Sequence, residues 1–362
     1  MFGTWRLLLA FEVVLAHLLN VTPLGGNAVF SFFVLSGFLM TAIMQKSYGY
    51  TSEGRMRFVV NRALRLLPSY WFAAVIALLL VFFLGAQNTV AYHRVLDRPA
   101  TALEWFENLF MLFLSFRPID VEPRLVPATW ALTVEIVYYA LICLGVSRTE
   151  RRSRYWFLGS LAWVVAMLAS GADRTILYGT IASGSFPFAA GALAWHKRAA
   201  ILGWLDRLRI GAVGMVGLRW LYLLLFYEIF RKFLPAGIPV RELSEVGTAL
   251  LSIAVVVRLF SVSREHPMGR IDEVLGAYSY PVYLLHWCCG LIGAVLVYGM
   301  PIAQDYRTLP VFLAALPILF LLSSVCVFAI DRRVNRLRDR NRRREPLAEA
   351  AREAQSGLAV AP

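Results

Sequence analysis

Residues 278–298 read YSYPVYLLHWCCGLIGAVLVY and contain no Asp, Glu, Lys or Arg. An α-helix rises about 1.5 Å per residue, so this stretch is long enough to cross the roughly 30 Å hydrocarbon core of a bilayer. A helix also satisfies its backbone hydrogen bonds internally, as lipid requires. The stretch therefore predicts a membrane-spanning helix, with His286 near its middle.

The composition of the whole chain agrees with this. Of the 362 residues, 59% are hydrophobic and 16% are charged, against roughly 45–50% and about 25% in soluble domains. This excludes a soluble globular protein. The four cysteines lie in apolar segments, where each is a small hydrophobic side chain, so neither a metal centre nor a disulfide framework is expected.

Ten apolar runs predict an all-α, polytopic transmembrane helix bundle, with one integral-membrane domain over residues 1–330. A shorter apolar segment, 103–116, precedes several prolines and is expected to be interfacial or re-entrant. Residues 331–362 are expected to form a basic, disordered cytoplasmic tail that is either solvated or bound to lipid headgroups. The predicted spans are 5–22, 28–45, 67–85, 128–146, 155–170, 176–195, 211–230, 244–260, 278–298 and 310–330.

The basic residues test this topology. The formal net charge is +13, and with ten spans about 26 Lys and Arg residues fall on the face that holds both termini and about 9 on the other. The positive-inside rule therefore places both termini in the cytoplasm. Because the charge follows the membrane topology, no nucleic-acid partner is expected. The first span lacks a cleavage site and is expected to be retained.

Ionisable residues inside spans are candidate functional groups, because burying them in lipid is unfavourable. Arg6 and His17 are eleven residues apart, so they share one helix face about 16 Å apart along the axis. A neutral His17 could act as a general base toward a hydroxyl, or it could simply hydrogen-bond a neighbouring helix. The five intramembrane positions are Glu12, His17, Glu135, Arg219 and His286.

Two arginines stand at the entry to the third span. Arg62 and Arg65 are three residues apart and so lie on one side of a helix. A pair of guanidinium groups can bind phosphate, although ordinary anchoring at the cytoplasmic surface is the alternative.

Two further segments place polar groups within spans. Glu135 could orient a base, accept a substrate hydroxyl, or pair with Arg219 or His286. Ser279, Tyr283 and His286 form one polar stripe, which is expected to face the interior of the bundle.

Taken together, these motifs resemble the acyltransferase-3 family of bacterial integral-membrane acyltransferases. The resemblance covers the whole chain, with two departures: Gly3 and Phe30 stand near places where the family often carries an acid. Six motifs occur in the family's order: Arg6 with His17, Ser31 to Phe38, Arg62 to Tyr70, Trp130 to Tyr139, Phe186 to Gly191, and Ser279 to His286.

The resemblance implies transfer of an acyl group, most commonly acetyl, from acyl-coenzyme A to a hydroxyl of a glycan or lipid-linked saccharide in the bacterial inner membrane. It needs no metal. In that reading His17 is the base, Glu135 and His286 orient it or the acceptor, and the phosphates of the coenzyme bind Arg6, Arg62 and Arg65. Ser36 and Gly37 are expected to serve close helix packing. Supporting roles are expected for Tyr70, Trp130, Ser279 and Tyr283.

Two other classes of function remain open at this stage. A transporter or flippase of a lipid-linked glycan could use Glu12, Glu135, Arg219 and His286 as a polar pathway. A non-catalytic scaffold would use the histidines structurally. A coenzyme bound at the two arginines would distinguish the enzyme from the transporter.

Overall fold

The computed structural model describes residues 2–21, 24–226, 231–233, 239–262, 268–300 and 306–338. These residues form helices and connecting turns, with no strand among them, so the predicted all-α class is confirmed. The helices are α1 (Gly3–Leu18), α2 (Leu24–Ile43), α3 (Ser52–Leu84), α4 (Ala86–Tyr92), α5 (Ala102–Phe110), α6 (Trp130–Leu144), α7 (Glu150–Ala169), α8 (Arg174–Tyr178), α9 (Ser185–Arg207), α10 (Ala212–Leu224), α11 (Arg231–Phe233), α12 (Val240–Ser261), α13 (Gly269–Tyr298) and α14 (Leu309–Val325).

Within the described part of the chain, six helices are long and apolar enough to cross a membrane. The total of ten spans and the orientation of the termini stay predictions. The six are Leu24–Tyr48, Ser52–Leu84, Pro127–Leu144, Val240–Ser261, Gly269–Tyr298 and Leu309–Arg338.

Several helices are longer than their predicted spans. Thr51 caps α3 by accepting a hydrogen bond from the backbone of Gly54 at 3.1 Å, and the helix continues through Pro68. After α14 the chain continues through a π-helical segment, Cys326–Asp331, and stays helical to Arg338, which lies in the predicted tail. Residues 339–362, like residues 227–230 of one predicted span, lie outside the described part of the chain.

The structure differs from the prediction at span 176–195. Helix α8 ends at Tyr178, and α9 begins only at Ser185 and runs to Arg207. Side chains between them bind the local backbone: Thr180 donates to the carbonyl of Ile176 at 2.8 Å, and Ser183 donates to that of Tyr178 at 2.9 Å. These bonds replace helical ones, so an apolar run becomes two helices.

The segment 103–116 does not form a long helix. Helix α5 has nine residues and begins with a capping box, in which Thr101 and Glu104 each bind the other's backbone. It is too short to span a membrane, which agrees with the interfacial or re-entrant prediction.

The centre of the bundle is built from α1, α2 and α13, whose side chains are mostly buried. Helix α2 packs closely on α9: a methyl group on Gly37 would overlap the backbone of Phe188, and one on Gly191 would overlap the backbone of Val34. The predicted close packing through Gly37 is therefore confirmed: glycines on both helices let the two backbones approach each other.

Candidate active site

Two histidines from distant parts of the sequence meet where the last turn of α1 packs against the middle of α13. His17 lies in the last turn of α1, and His286 lies midway along α13. Nδ1 of His17 is 2.9 Å from Nε2 of His286. His286 is fully buried, whereas His17 is partly exposed. Of the two residues, His17 is therefore the one that retains some exposed surface.

The hydrogen bonds of His286 fix its tautomer and that of His17. Nδ1 of His286 is 2.7 Å from the carbonyl oxygen of Tyr283, and a carbonyl only accepts, so this nitrogen carries the proton. In a neutral imidazole Nε2 of His286 then has a lone pair and accepts from Nδ1–H of His17. The remaining nitrogen of His17, Nε2, has a lone pair that no described residue donates to. The arrangement suits a general base.

The surroundings of His17 hold its ring in place. The indole of Trp287 stacks on His17 with ring centroids 4.7 Å apart. Nε2 of His17 lies near the start of α2, where Gly25 has no side chain; a Cβ there would lie 4.0 Å from this nitrogen. A side chain at position 25 would therefore contact the nitrogen.

The three predicted phosphate ligands lie toward the other end of α1. Arg6 is in the first turn of this helix, and the like charges of Arg65 and Arg62 act on it. None of the ion pairs among the described residues involves these three guanidinium groups. The cluster therefore has an excess of positive charge suited to an anion.

Neutral groups hold these arginines in place. Arg62 donates to Oδ1 of Asn61 at 2.7 Å and has a buried Nε without a hydrogen-bond partner among the described residues. The guanidinium of Arg65 lies 5.8 Å from the ring centroid of Tyr280. Such contacts orient the cations without neutralising them.

Sequence reasoning missed the acid that fixes α1 beside this cluster. Asp272 accepts hydrogen bonds from the backbone of Gly3 and of Thr4, both at 2.9 Å. It thus caps α1 from the first turn of α13. Asp272 lies outside the predicted spans, because the apolar run begins only at residue 278. The related family often has an acid near the position of Gly3; here Asp272, on another helix, supplies a carboxylate at that place.

Glu135 does not contact the histidines. Its carboxylate accepts from Oγ of Ser36 at 2.6 Å and from the hydroxyl of Tyr139, and Arg62 and Arg65 are its charged neighbours. The prediction that Glu135 orients His17 therefore finds no contact among the described residues, and neither does its pairing with Arg219 or His286. Glu135 instead belongs with the arginine cluster.

Arg219 is paired with Glu12. Its two terminal nitrogens lie 2.7 and 2.8 Å from the two carboxylate oxygens. Glu12 therefore binds a basic group on another helix. Glu135 lies with the arginine cluster, and His286 binds His17. The four residues of the polar pathway expected for a transporter thus belong to three separate groups.

The remaining predicted residues are buried and bind backbone carbonyls or aromatic rings. Tyr283 donates to the carbonyl of Ala128 at 2.8 Å, and Ser279 donates to that of Gly276 at 2.8 Å. Tyr70 donates to the carbonyl of Asn108, and Trp130 lies edge-on to Tyr178 at 5.0 Å. The stripe on α13 faces the interior as predicted, and these contacts position helices around the site.

A third histidine, His93, lies beside the pair and was not singled out from the sequence. Its ring is 4.4 Å from that of Trp287. It follows the short helix α4, in a segment without a motif, so only the tertiary structure reveals it. Among the described residues, no group of three or more His, Cys, Asp or Glu side chains is arranged to hold a metal ion.

Comparison with known proteins gives one result. A family model described as an acyltransferase domain matches residues 3–330, which is nearly the whole chain. Neither the curated proteins nor the solved structures give a match.

Proposed function

Because the chain belongs to the acyltransferase-3 family and carries membrane-spanning helices, we propose that this membrane acyltransferase moves an acyl group from acyl-coenzyme A to a hydroxyl of a glycan or lipid-linked saccharide. Acetyl is the proposed acyl group. The proposed location is the bacterial inner membrane.

The His17–His286 hydrogen bond carries this proposal. It leaves His17 with a free lone pair at Nε2 and a neighbour that can stabilise the imidazolium formed when that nitrogen takes up a proton. The same logic operates wherever a second group orients a catalytic histidine.

The guanidinium cluster supports the choice of donor. Eleven residues of α1 separate Arg6 from His17, a rise of about 16 Å. In the proposed binding mode, Arg6, Arg62 and Arg65 bind the phosphates of the coenzyme, and its flexible arm follows α1 toward His17. The thioester then lies near the base.

The proposed reaction is a direct transfer. Nε2 of His17 takes the proton from the acceptor hydroxyl as the hydroxyl oxygen attacks the thioester carbonyl carbon. The new C–O ester bond forms, the C–S bond breaks, and the coenzyme leaves as a thiolate. The proton on His17 then passes to the thiolate, which regenerates the neutral imidazole.

The test is incubation of the purified full-length protein with radiolabelled acetyl-coenzyme A, comparing wild type, His17→Ala and a control variant, His196→Gln. His196 binds the carbonyl of Ser147 at 3.0 Å, on helix α9. We expect thioester cleavage by the wild type and the control, and its loss in His17→Ala. Equal cleavage by all three proteins would exclude His17 as the base, and label retained on the protein would replace direct transfer by an acyl-enzyme.

A further inference from the structure

Three histidines surround a single indole ring. The ring of Trp287 is 4.7 Å from His17, 5.5 Å from His286 and 4.4 Å from His93, measured between centroids. His17 stacks on the indole, whereas His93 stands nearly perpendicular to it, at 76°. Two of the histidines form the base described above. The third histidine, His93, takes no part in the reaction proposed above.

The hydrogen bonding of His93 leaves a donor available. The backbone N–H of Val95 donates to Nδ1 of His93 at 3.4 Å, so in the neutral ring the proton is on Nε2. Among the described residues, no hydrogen bond from this N–H is found. His93 is also only partly buried. A bound molecule could therefore accept this hydrogen bond.

The charges that face His93 keep it neutral. Burial, and then the cations Arg124, Arg307 and Arg94, lower its pKa to about 3, with a small contribution from His286. These cations have neighbours of their own: Arg94 binds Glu122 at 3.1 Å, and Arg124 donates to three backbone carbonyls. The Nε2 proton thus stays in place throughout the physiological pH range.

The position of His93 indicates which substrate it meets. The arginine cluster that would bind coenzyme phosphates lies beside the first turn of α1, whereas His17, in its last turn, and His93 both contact Trp287. A saccharide presents many oxygen acceptors, and an N–H donor next to an aromatic ring suits such a ligand.

We propose that His93 holds the saccharide acceptor: its Nε2–H donates a hydrogen bond to a sugar oxygen and thereby turns a neighbouring hydroxyl toward Nε2 of His17. This assignment rests on the proposed acyltransferase function. It adds a residue that the family motifs in the sequence do not contain, contributed by the segment after α4.

The experiment compares His93→Phe with His93→Gln in the full-length protein, in a detergent without a sugar headgroup. Phenylalanine keeps the aromatic contact with Trp287 and lacks the donor, whereas glutamine keeps an N–H donor. The donor substrate is acetyl-coenzyme A, and the acceptors are octyl glycosides of glucose, galactose and N-acetylglucosamine. His196→Gln is the control for substitution of a histidine far from the site.

We expect His93→Phe to raise KM for the glycoside about five- to tenfold, the range for one neutral hydrogen bond, while KM for acetyl-coenzyme A changes little. His93→Gln should stay closer to the wild type. An unchanged glycoside KM in His93→Phe, or an equal rise of both KM values, overturns the proposal. Wild-type protein that cleaves the thioester without acylating any glycoside overturns the saccharide assignment, and wild-type protein that cleaves no thioester overturns the enzymatic function itself.

Discussion

The guanidinium of Arg219, on α10, binds both carboxylate oxygens of Glu12, on α1, and neither side chain is more than 1% exposed. The contact is bidentate, with Nη1 and Nη2 each meeting one oxygen. Nε of Arg219 also donates to Oγ of Ser31 at 3.2 Å, and the ring of Trp5 lies 5.0 Å from the guanidinium. The ion pair therefore fixes α10 against α1 and α2 within the bundle.

Removing one partner of this pair should destabilise the fold strongly. We expect Arg219→Met to lower the free energy of unfolding by about 3–5 kcal/mol, because Glu12 would be left buried without its partner. The double variant Glu12→Leu, Arg219→Met removes both charges and should recover most of the loss. Thermal unfolding in detergent measures both; a double variant no more stable than Arg219→Met would contradict the uncompensated charge as the cause.

Substitutions of His286 should separate orientation of the base from packing. In His286→Gln the amide oxygen can still accept from Nδ1–H of His17, so activity should be largely retained. In His286→Phe that acceptor is lost and the tautomer of His17 is no longer fixed. We expect kcat to fall about 100-fold or more. The measurement is thioester cleavage at saturating donor, and equal kcat values for the two variants would exclude this role.

Replacing both Arg62 and Arg65 by Ala should weaken donor binding. Two charge-assisted phosphate contacts are worth about 1.5–3 kcal/mol each, so Kd for acetyl-coenzyme A should rise by about two to four orders of magnitude. The matched control is Arg151→Ala with Arg154→Ala, which removes two exposed cations from α7. Isothermal titration would measure both. An unchanged Kd in the first variant, or the same rise in the control, would exclude the cluster as the phosphate site.

Two glycines of α9 offer a test of close helix packing. A Cβ at Gly191 would overlap the backbone of Val34, whereas a Cβ at Gly203 meets nothing within 4 Å. Gly191→Ala should therefore lower the unfolding temperature, and Gly203→Ala should leave it unchanged or raise it, because alanine favours the helix by about 1 kcal/mol. Similar effects at both positions would show that the α2–α9 contact does not need a glycine.

His93 should make the folded protein sensitive to acid. Its pKa is about 3 in the fold and about 6.5 in an unfolded chain, so the unfolded state takes up a proton first as the pH falls. This lowers the free energy of unfolding by about 2 kcal/mol between pH 7 and pH 5. His93→Gln should lose less thermal stability than the wild type over that interval. An identical loss in both proteins would contradict the buried, neutral state of His93.

The helical class and most helix positions follow from the sequence, because continuous apolar runs allow little else in lipid. The pairing of α1 with α13 does not follow from the sequence, because nothing in the local sequence of either helix indicates that His17 contacts His286. The capping of Gly3 by Asp272 is equally non-local. The structure has two helices where the sequence predicted one span over 176–195. The side chains of Thr180 and Ser183 can replace helical hydrogen bonds, and a hydropathy pattern does not reveal this.

The candidate site was predictable in its residue types and only partly in its grouping. The motifs identified both histidines and all three arginines. Glu135 was expected to orient His17 or the acceptor, yet its carboxylate accepts hydrogen bonds from Ser36 and Tyr139, because the face that α6 turns toward α2 is set by packing. His93 carries no signal in the sequence.

The cap that Asp272 places on α1 has a consequence for biosynthesis. The first helix leaves the ribosome about 270 residues before the carboxylate that caps its start, and about as long before the imidazole that orients its histidine. Until α13 is inserted, the first backbone amides of α1 lack the cap from Asp272, and His17 lacks its hydrogen bond to His286. The contacts that Asp272 and His286 make to α1 are therefore completed late in synthesis, and a chain that stops before α13 lacks both of them.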